Sequence, residues 1–237
     1  MARSPESFIV PHDFQDDLDA IADIAVIPTI LEVVCRTTGL RFAAVARVTD
    51  DRWICLASKD DIEFGLAAGG ELVVGTTICN EIREHHRAVA IDHVSDSPDF
   101  CQHPTPLQYG FQSYISVPIL RADGGFYGTL CAIDPHPNTL NNPSVLGMFN
   151  LFATLIAHEL DNHARIRAME AENEALKHVF RGGLGHDMKN TLMTMVAGAR
   201  LLSRTPLDER GRLIVTEMEA ATEKLSHQIS DAMKPVN

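Results

Sequence analysis

The sequence predicts an α+β fold that continues into a long helical C-terminal part. Up to about residue 145, short runs rich in β-branched and aromatic residues alternate with turns and a few helical patterns. Such alternation is typical of one sheet with helices at its ends. After Asn142-Pro143 the apolar spacing becomes helical, and it remains so for about sixty residues.

The first elements follow one another through short connections. A helix is predicted at residues 27–38, where apolar residues recur at helical spacing and Gly39 supplies the stop. Two strands at 42–48 and 53–57 are joined by Thr49-Asp50-Asp51, which predicts a hairpin. The shorter elements that follow are a strand at 71–74, a helix at 79–86, a strand at 88–91 and a polar loop at 95–106.

The clearest strand patterns are SYISVPIL at 113–120 and FYGTLCAI at 126–133. Ala122-Asp123-Gly124-Gly125 joins them as a tight hairpin. With the earlier strands they predict a single antiparallel sheet flanked by helices.

The long helix carries a narrow apolar seam at heptad positions. Its members are Phe152, Leu155, Ile166, Met169, Leu176 and Phe180. Asn173 falls at an a position, where asparagine fixes register and a two-stranded state at some cost in stability. Because a helix with such a seam needs a partner, we expect a coiled coil formed with a second copy of the chain.

A helical hairpin is predicted to end the protein. Ser203-Arg204-Thr205-Pro206 turns the chain into a second amphipathic helix. The residues expected on its inner face are Ile214, Met218, Ala221, Leu225 and Ile229. Doubling the hairpin by symmetry makes a four-helix bundle. The predicted domains are an N-terminal segment at 1–17, the sheet domain at 18–160, and the long helix with the hairpin at 161–237.

Composition narrows the possible partners and compartment. The 237 residues carry a formal net charge of −12, which disfavours binding to nucleic acid. The five cysteines are scattered and form no C-x-x-C pair, which predicts reduced, mostly buried thiols of a cytoplasmic protein. The N-terminus lacks the apolar stretch of a signal peptide, and no membrane span is expected.

The segment His186-Asp187-Met188-Lys189-Asn190 is the strongest candidate for chemistry. In a helix, His186 and Asn190 share one face, with Asp187 beside the imidazole. A carboxylate on one ring nitrogen fixes the tautomer and leaves the other nitrogen as a nucleophile, while a carboxamide can position water. The preceding Arg181-Gly182-Gly183-Leu184-Gly185 predicts a bend in the helix, or alternatively a close helix contact.

The stretch LGHDMKNTL at 184–192 resembles the H-box of sensor histidine kinases, and residues 180–233 resemble their dimerisation and phosphotransfer hairpin. The resemblance implies that His186 is the phosphoacceptor and that Asp187 promotes its attack on the γ-phosphate of ATP. Asn190 would place water during dephosphorylation of a response-regulator aspartate. Thr191 stands where the family usually has proline, so the glycines would have to supply the helix bend.

No ATP-binding domain follows the hairpin, and residues 182–190 lack the GK[ST] of a P-loop. ATP and Mg²⁺ would therefore act only through a separate kinase domain. We expect the sensor portion of a two-component histidine kinase: a homodimer whose partners are a response-regulator receiver domain and a separate kinase. A truncated kinase and a natural acceptor of phosphate both fit. The alternative is a non-enzymatic dimerisation or ligand-binding module with a vestigial hairpin.

The N-terminal part resembles a GAF domain over residues 18–160. The matching features are residues 92–100, His103-Pro104, YGFQSYISVP at 109–118 and GTLCAID at 128–134. The resemblance implies a cyclic nucleotide, bilin, haem or other small ligand, or dimerisation without any ligand, and the ligand itself stays unknown.

Three further clusters are interpreted as structural. Cys101-Gln102-His103 resembles a bilin-attachment site, but its spacing is off by one residue. His158 and His163 flank Glu159 as in a zinc protease, yet their separation of five residues puts the imidazoles on different faces, so no metal site is expected. His85-His86 is interpreted as a solvated helix end.

Overall fold

A computed structural model describes residues 13–179 and 185–232. The described part forms two compact units that divide between Ile166 and Arg167. Within it, none of the helices combines the length and the apolarity needed to cross a membrane.

The first unit contains a six-stranded antiparallel sheet with the order β3-β2-β1-β6-β5-β4. The strands are β1 Phe42–Val48, β2 Trp53–Asp60, β3 Glu71–Leu72, β4 Val89–Ile91, β5 Ser113–Leu120 and β6 Phe126–Asp134. The predicted α+β class and the single antiparallel sheet are confirmed.

Seven α-helices complete the described chain. They are α1 Gln15–Asp23, α2 Ile27–Thr38, α3 Ile78–His85, α4 Pro104–Tyr109, α5 Pro143–Val179, α6 Gly185–Leu202 and α7 Glu209–Ala232. The described parts of the predicted sixty-residue helical stretch are α5 and α6. Residues 180–184, which include most of the glycine-rich run, lie outside the described residues.

The sheet separates two hydrophobic cores because successive residues of a strand point to opposite faces. Ala43 and Val45 of β1 lie in one core with α1, α2 and the first part of α5. Phe42 and Ala44 lie in the other core with α3 and the segment around Phe64. Every residue of β1 except Arg47 is buried, so the strand forms the centre of the unit.

Two elements differ from the sequence-based expectations. The loop predicted at 95–106 contains a 3₁₀ turn at Val94–Asp96 and the start of α4. His103 accepts a hydrogen bond from the Thr105 backbone N–H at 3.2 Å, and Pro104 occupies the first helical position. Proline there pre-organises a helix, so the proline-rich composition was wrongly interpreted as a loop. Helix α1, whose Ile21 is fully buried, was not predicted.

The second unit is a hairpin of α6 and α7, joined at residues 203–208. Asp208 caps α7 by accepting a hydrogen bond from Gly211 N–H at 2.8 Å. The residues buried in this hairpin are Leu192, Ala199, Val215 and Thr222.

The residues predicted to form the inner face of α7 are not the ones that pack against α6 within one chain. Val215 and Thr222 are 6% and 3% exposed, whereas Leu225 of the predicted row is 44% exposed. Thr222 tolerates burial because its hydroxyl donates to the Met218 carbonyl at 2.7 Å. Ile214 and Met218 of the predicted row are also exposed, and the side chain of Ile229 lies outside the described part. The coiled coil and the four-helix bundle stay predictions.

Candidate functional site

The predicted phosphoacceptor lies in α6. His186 and Asn190 belong to the described part of this helix, Gly185–Leu202, and are one turn apart, as the sequence predicted. Asn190 is exposed, and its carbonyl accepts a hydrogen bond from the Thr194 hydroxyl at 2.9 Å. The side chains of His186 and Asp187 lie outside the described part, so their predicted contact stays a prediction.

The surface of the α6–α7 hairpin carries two adjoining grooves. One groove of about 430 Å³ contains Lys189, Met193, Val196 and Arg200 among its lining residues. A second groove of about 390 Å³ shares Val196, Arg200 and Ser226 with the first. The first groove, called the basic groove below, therefore offers apolar contact area framed by Lys189 and Arg200, whereas the second groove is also lined by Glu219 and Glu223.

A second candidate site is a cavity on the α3 side of the sheet, with a volume of about 40 Å³. Its lining is predominantly apolar and includes six aromatic rings: Phe42, Trp53, Phe64, Tyr109, Phe111 and Tyr114. The Phe64 ring packs on those of Phe42 and Tyr109, with centroids 4.9 and 5.7 Å apart. The segment before β3 and helix α4 thereby cover the cavity.

One wall of the cavity carries a buried cluster of sulfur and hydroxyl groups. Cys79 Sγ lies 3.3 Å from the Tyr114 hydroxyl and 4.0 Å from Ser116 Oγ, and it accepts a hydrogen bond from Thr129 Oγ1 at 3.3 Å. Interaction with Cys131 and the hydrogen bond from Thr129 lower the pKa of Cys79 despite burial, while interaction with Cys79 and burial raise the pKa of Cys131, whose thiol donates to the Ala44 carbonyl at 3.6 Å. Sequence reasoning missed this cluster, although it did predict buried, reduced cysteines.

Helix α4 is anchored to α3 beside the cavity. His103 Nε2 lies 2.9 Å from a carboxylate oxygen of Glu81, while its other nitrogen caps α4. Both ring nitrogens of His103 are therefore engaged in structural contacts. The cavity is also roughly tenfold smaller than the pockets of drug-sized ligands, so it does not accommodate a bilin in this conformation.

The remaining histidine clusters take structural positions. His158 Nδ1 lies 2.9 Å from the Asn162 amide nitrogen, and His163 Nε2 lies 3.2 Å from Asp23. His86 follows the end of α3 and stacks on Phe126. Among the residues that the structure describes, no group of three or more His, Cys, Asp or Glu side chains could hold a metal ion.

The buried carboxylate of Asp134 has a structural role at the end of β6. Arg41 forms two hydrogen bonds with it, at 2.8 and 2.9 Å, and the His136 backbone N–H donates a third at 2.9 Å. Burial raises the pKa of Asp134, but the bonds from Arg41 and His136 outweigh it and lower the pKa to about 2. This pair fastens the α2–β1 connection to β6.

Comparison with known proteins gives a consistent assignment for the first unit. The GAF domain family matches residues 24–160. The chain is similar to the PixJ GAF domain of Thermosynechococcus elongatus, with 12% identity, 72% of this chain and 98% of that chain covered, and a TM-score of 0.50. It is similar to the chromophore-binding domain of a bacteriophytochrome from R. palustris, with 13% identity, coverage of 64% and 61%, and a TM-score of 0.50. No curated protein sequence matches the chain.

Proposed function

Because this chain belongs to the GAF domain family, we propose that its GAF domain acts as a sensor that controls a C-terminal phosphotransfer hairpin. In this proposal the protein is the sensor portion of a two-component histidine kinase and works as a homodimer. His186 is the phosphoacceptor, and the phosphoryl group comes from a separate kinase or from a response-regulator receiver domain.

The observation that carries the proposal is the unpartnered apolar surface of the α6–α7 hairpin. Its exposed large apolar residues are Met188, Met193, Met195, Leu201, Leu202, Leu213, Ile214, Met218 and Leu225. An apolar surface of this extent marks an interaction site. A second hairpin would cover it and complete a four-helix bundle, which is the arrangement that a dimeric phosphotransfer module requires.

The start of α6 supplies the residue types that phosphotransfer needs. Neutral His186 attacks phosphorus in line with the leaving oxygen, so the phosphoryl group moves from the donor to a ring nitrogen. Asp187 stabilises the positive charge that develops on the ring and fixes its tautomer. Asn190, one turn later, orients the water that removes phosphate from a receiver aspartate.

The basic groove supports a receiver domain as the partner. Lys189 and Arg200 can contact acidic side chains around a receiver's phosphorylated aspartate, while Met193 and Val196 provide apolar contact area. The groove begins one turn after His186, so a partner bound there would place its aspartyl phosphate near the imidazole.

Transfer from a radiolabelled phospho-receiver protein to the full chain tests the proposal. We expect acid-labile label on the chain and its loss in His186→Gln. His158→Gln is the matched control, because His158 also has a neighbouring carboxylate and an asparagine one turn later. Equal labelling of both variants, or no labelling of the wild-type chain by cognate receivers, would contradict the phosphoacceptor role.

A second candidate function is a non-enzymatic GAF regulatory module with a vestigial hairpin. The covered cavity favours it, because a small ligand bound there could regulate a partner without phosphotransfer. The labelling experiment distinguishes the two functions, because a non-enzymatic module would dimerise but would not accept phosphate from a receiver.

A further inference from the structure

We propose that Cys79 and Cys131 form a modification site in the GAF cavity, at which a small uncharged peroxide oxidises the two thiols to a disulfide. This inference concerns only the first compact unit and does not depend on phosphotransfer at His186.

The two thiols meet on the same cavity wall although they lie on different elements. Cys79 is the second residue of α3, and Cys131 lies in β6, opposite Ser116 of β5. Their side chains are 4% and 5% exposed, and both line the cavity. Cys79 Sγ lies 4.0 Å from Ser116 Oγ, and Ser116 is the cross-strand partner of Cys131, so the two thiols are neighbours on one face of the sheet.

Size and charge select the molecule that could reach this pair. A cavity of 40 Å³ holds about three water-sized molecules, at roughly 10–15 Å³ each. None of the described residues that line the cavity is charged. A charged oxidant would therefore lose its hydration on entry without gaining an ion pair with the protein. Hydrogen peroxide is small and neutral, and it can both donate and accept hydrogen bonds.

The cavity also contains a donor that is not satisfied by the protein. The indole N–H of Trp53 is buried, and it makes no hydrogen bond of ordinary length to any described residue. It nevertheless lies close enough to help lower the pKa of Cys79. An oxygen atom of a bound peroxide could accept a hydrogen bond from this N–H, which offsets the cost of burying an unpaired donor.

The hydrogen bonds around Cys79 favour its thiolate, the form that attacks peroxides. Thr129 Oγ1 donates to Cys79 Sγ at 3.3 Å, and the Tyr114 hydroxyl lies 3.3 Å from the same sulfur. The start of α3 contributes in the same direction through its helix dipole. Two other buried thiols contrast with it: burial raises the pKa of Cys35 and of Cys55 to about 11.

The reaction proceeds in two balanced steps. The Cys79 thiolate attacks one peroxide oxygen, the O–O bond breaks, and the departing hydroxide takes up a proton to become water. Cys131 then attacks the resulting Cys79 sulfenic acid, its thiol proton leaves with the hydroxyl group as a second water, and the S–S bond forms. The two sulfur atoms are oxidised by two electrons in total, and one hydrogen peroxide is reduced to two waters.

Peptide mapping of the intact, reduced chain after treatment with hydrogen peroxide tests this site. We expect a disulfide-linked pair of peptides containing Cys79 and Cys131, which dithiothreitol separates. Cys35 serves as the buried control and should keep its free thiol. Cys101 is half-buried outside the cavity, so Cys101→Ser should leave formation of the disulfide unchanged. Oxidation of Cys101 while Cys79 and Cys131 stay reduced would overturn the proposal.

Two further measurements follow the individual steps. In Cys131→Ser the sulfenic acid has no resolving thiol, so dimedone should label Cys79. Trp53 is the single tryptophan of the chain, and its fluorescence should change reversibly with peroxide and dithiothreitol in the wild type but not in Cys79→Ser. A wild-type fluorescence that peroxide leaves unchanged would contradict a disulfide beside the indole ring.

Discussion

At the residue scale, Gly128 shows how closely β6 and β1 approach each other. A Cβ atom at this position would clash with the carbonyl oxygen of Ala46, which belongs to the central strand and cannot move independently. Gly147 is the opposite case, because a Cβ atom there meets nothing within 4 Å and the residue lies within α5. The same substitution should therefore have opposite effects at the two positions.

We expect Gly128→Ala to destabilise the protein by about 1–3 kcal/mol through overpacking against the backbone. Gly147→Ala should be neutral or stabilising by up to about 1 kcal/mol, because alanine has the higher helix propensity. Urea denaturation of both variants measures the difference. A Gly128→Ala variant as stable as the wild type would show that the strands separate more easily than the structure indicates.

Asp134 predicts an acid-sensitive component of stability. Its folded pKa of about 2 lies below the ordinary value of 3.8, so the ionised form is favoured by folding. The stabilisation, about 2 kcal/mol, is present above the ordinary pKa and is lost as the pH falls from about 5 to 2. Arg41→Gln should raise the pKa of Asp134 and lower the free energy of unfolding at neutral pH. Arg36 is exposed on α2, so Arg36→Gln should leave both unchanged. Unfolding curves measured between pH 2 and 7 test this, and identical curves for both variants would contradict it.

At the element scale, α3 depends on its N-cap. Thr77 accepts a hydrogen bond from the Asn80 backbone N–H at 3.2 Å and is buried beside the cavity. Thr77→Ala should cost about 1 kcal/mol, as for other lost N-caps. Thr76→Ala, one residue earlier and half-buried, should cost less because Thr76 does not cap the helix. The midpoints of chemical denaturation provide the measurement, and equal losses would show that capping is unimportant for α3.

The hairpin helix α7 has two apolar rows with different predicted roles. Val215 is buried against α6 within one chain, while Leu225 is exposed there and is proposed to face the second copy. Val215→Glu should therefore destabilise the hairpin itself, because it buries an unpaired charge. Leu225→Glu should weaken the dimer but leave the helix content of the chain unchanged. Analytical ultracentrifugation and circular dichroism separate the two effects, and a wild-type chain that sediments as a monomer at micromolar concentration would contradict the dimer.

At the scale of the whole molecule, the sequence predicted the sheet, most helices and the helical start of α6 because these depend on local spacing. Element ends were less accurate: the strand predicted at 71–74 ends at Leu72, since a 3₁₀ turn begins at Val74. The Cys79–Cys131 pair was not predictable in this way. It depends on the packing of α3 against β5 and β6, elements that are distant in sequence, and no local pattern reports such packing.

The central claim is that the protein carries phosphate on His186. Mass spectrometry under conditions that preserve phosphohistidine, applied to the full chain after incubation with a phosphorylated receiver domain, tests it most directly. The account predicts phosphate on the peptide containing His186 and on no other histidine. Phosphate on His158 or His163, or a chain that never acquires phosphate from any cognate receiver or kinase, would contradict it.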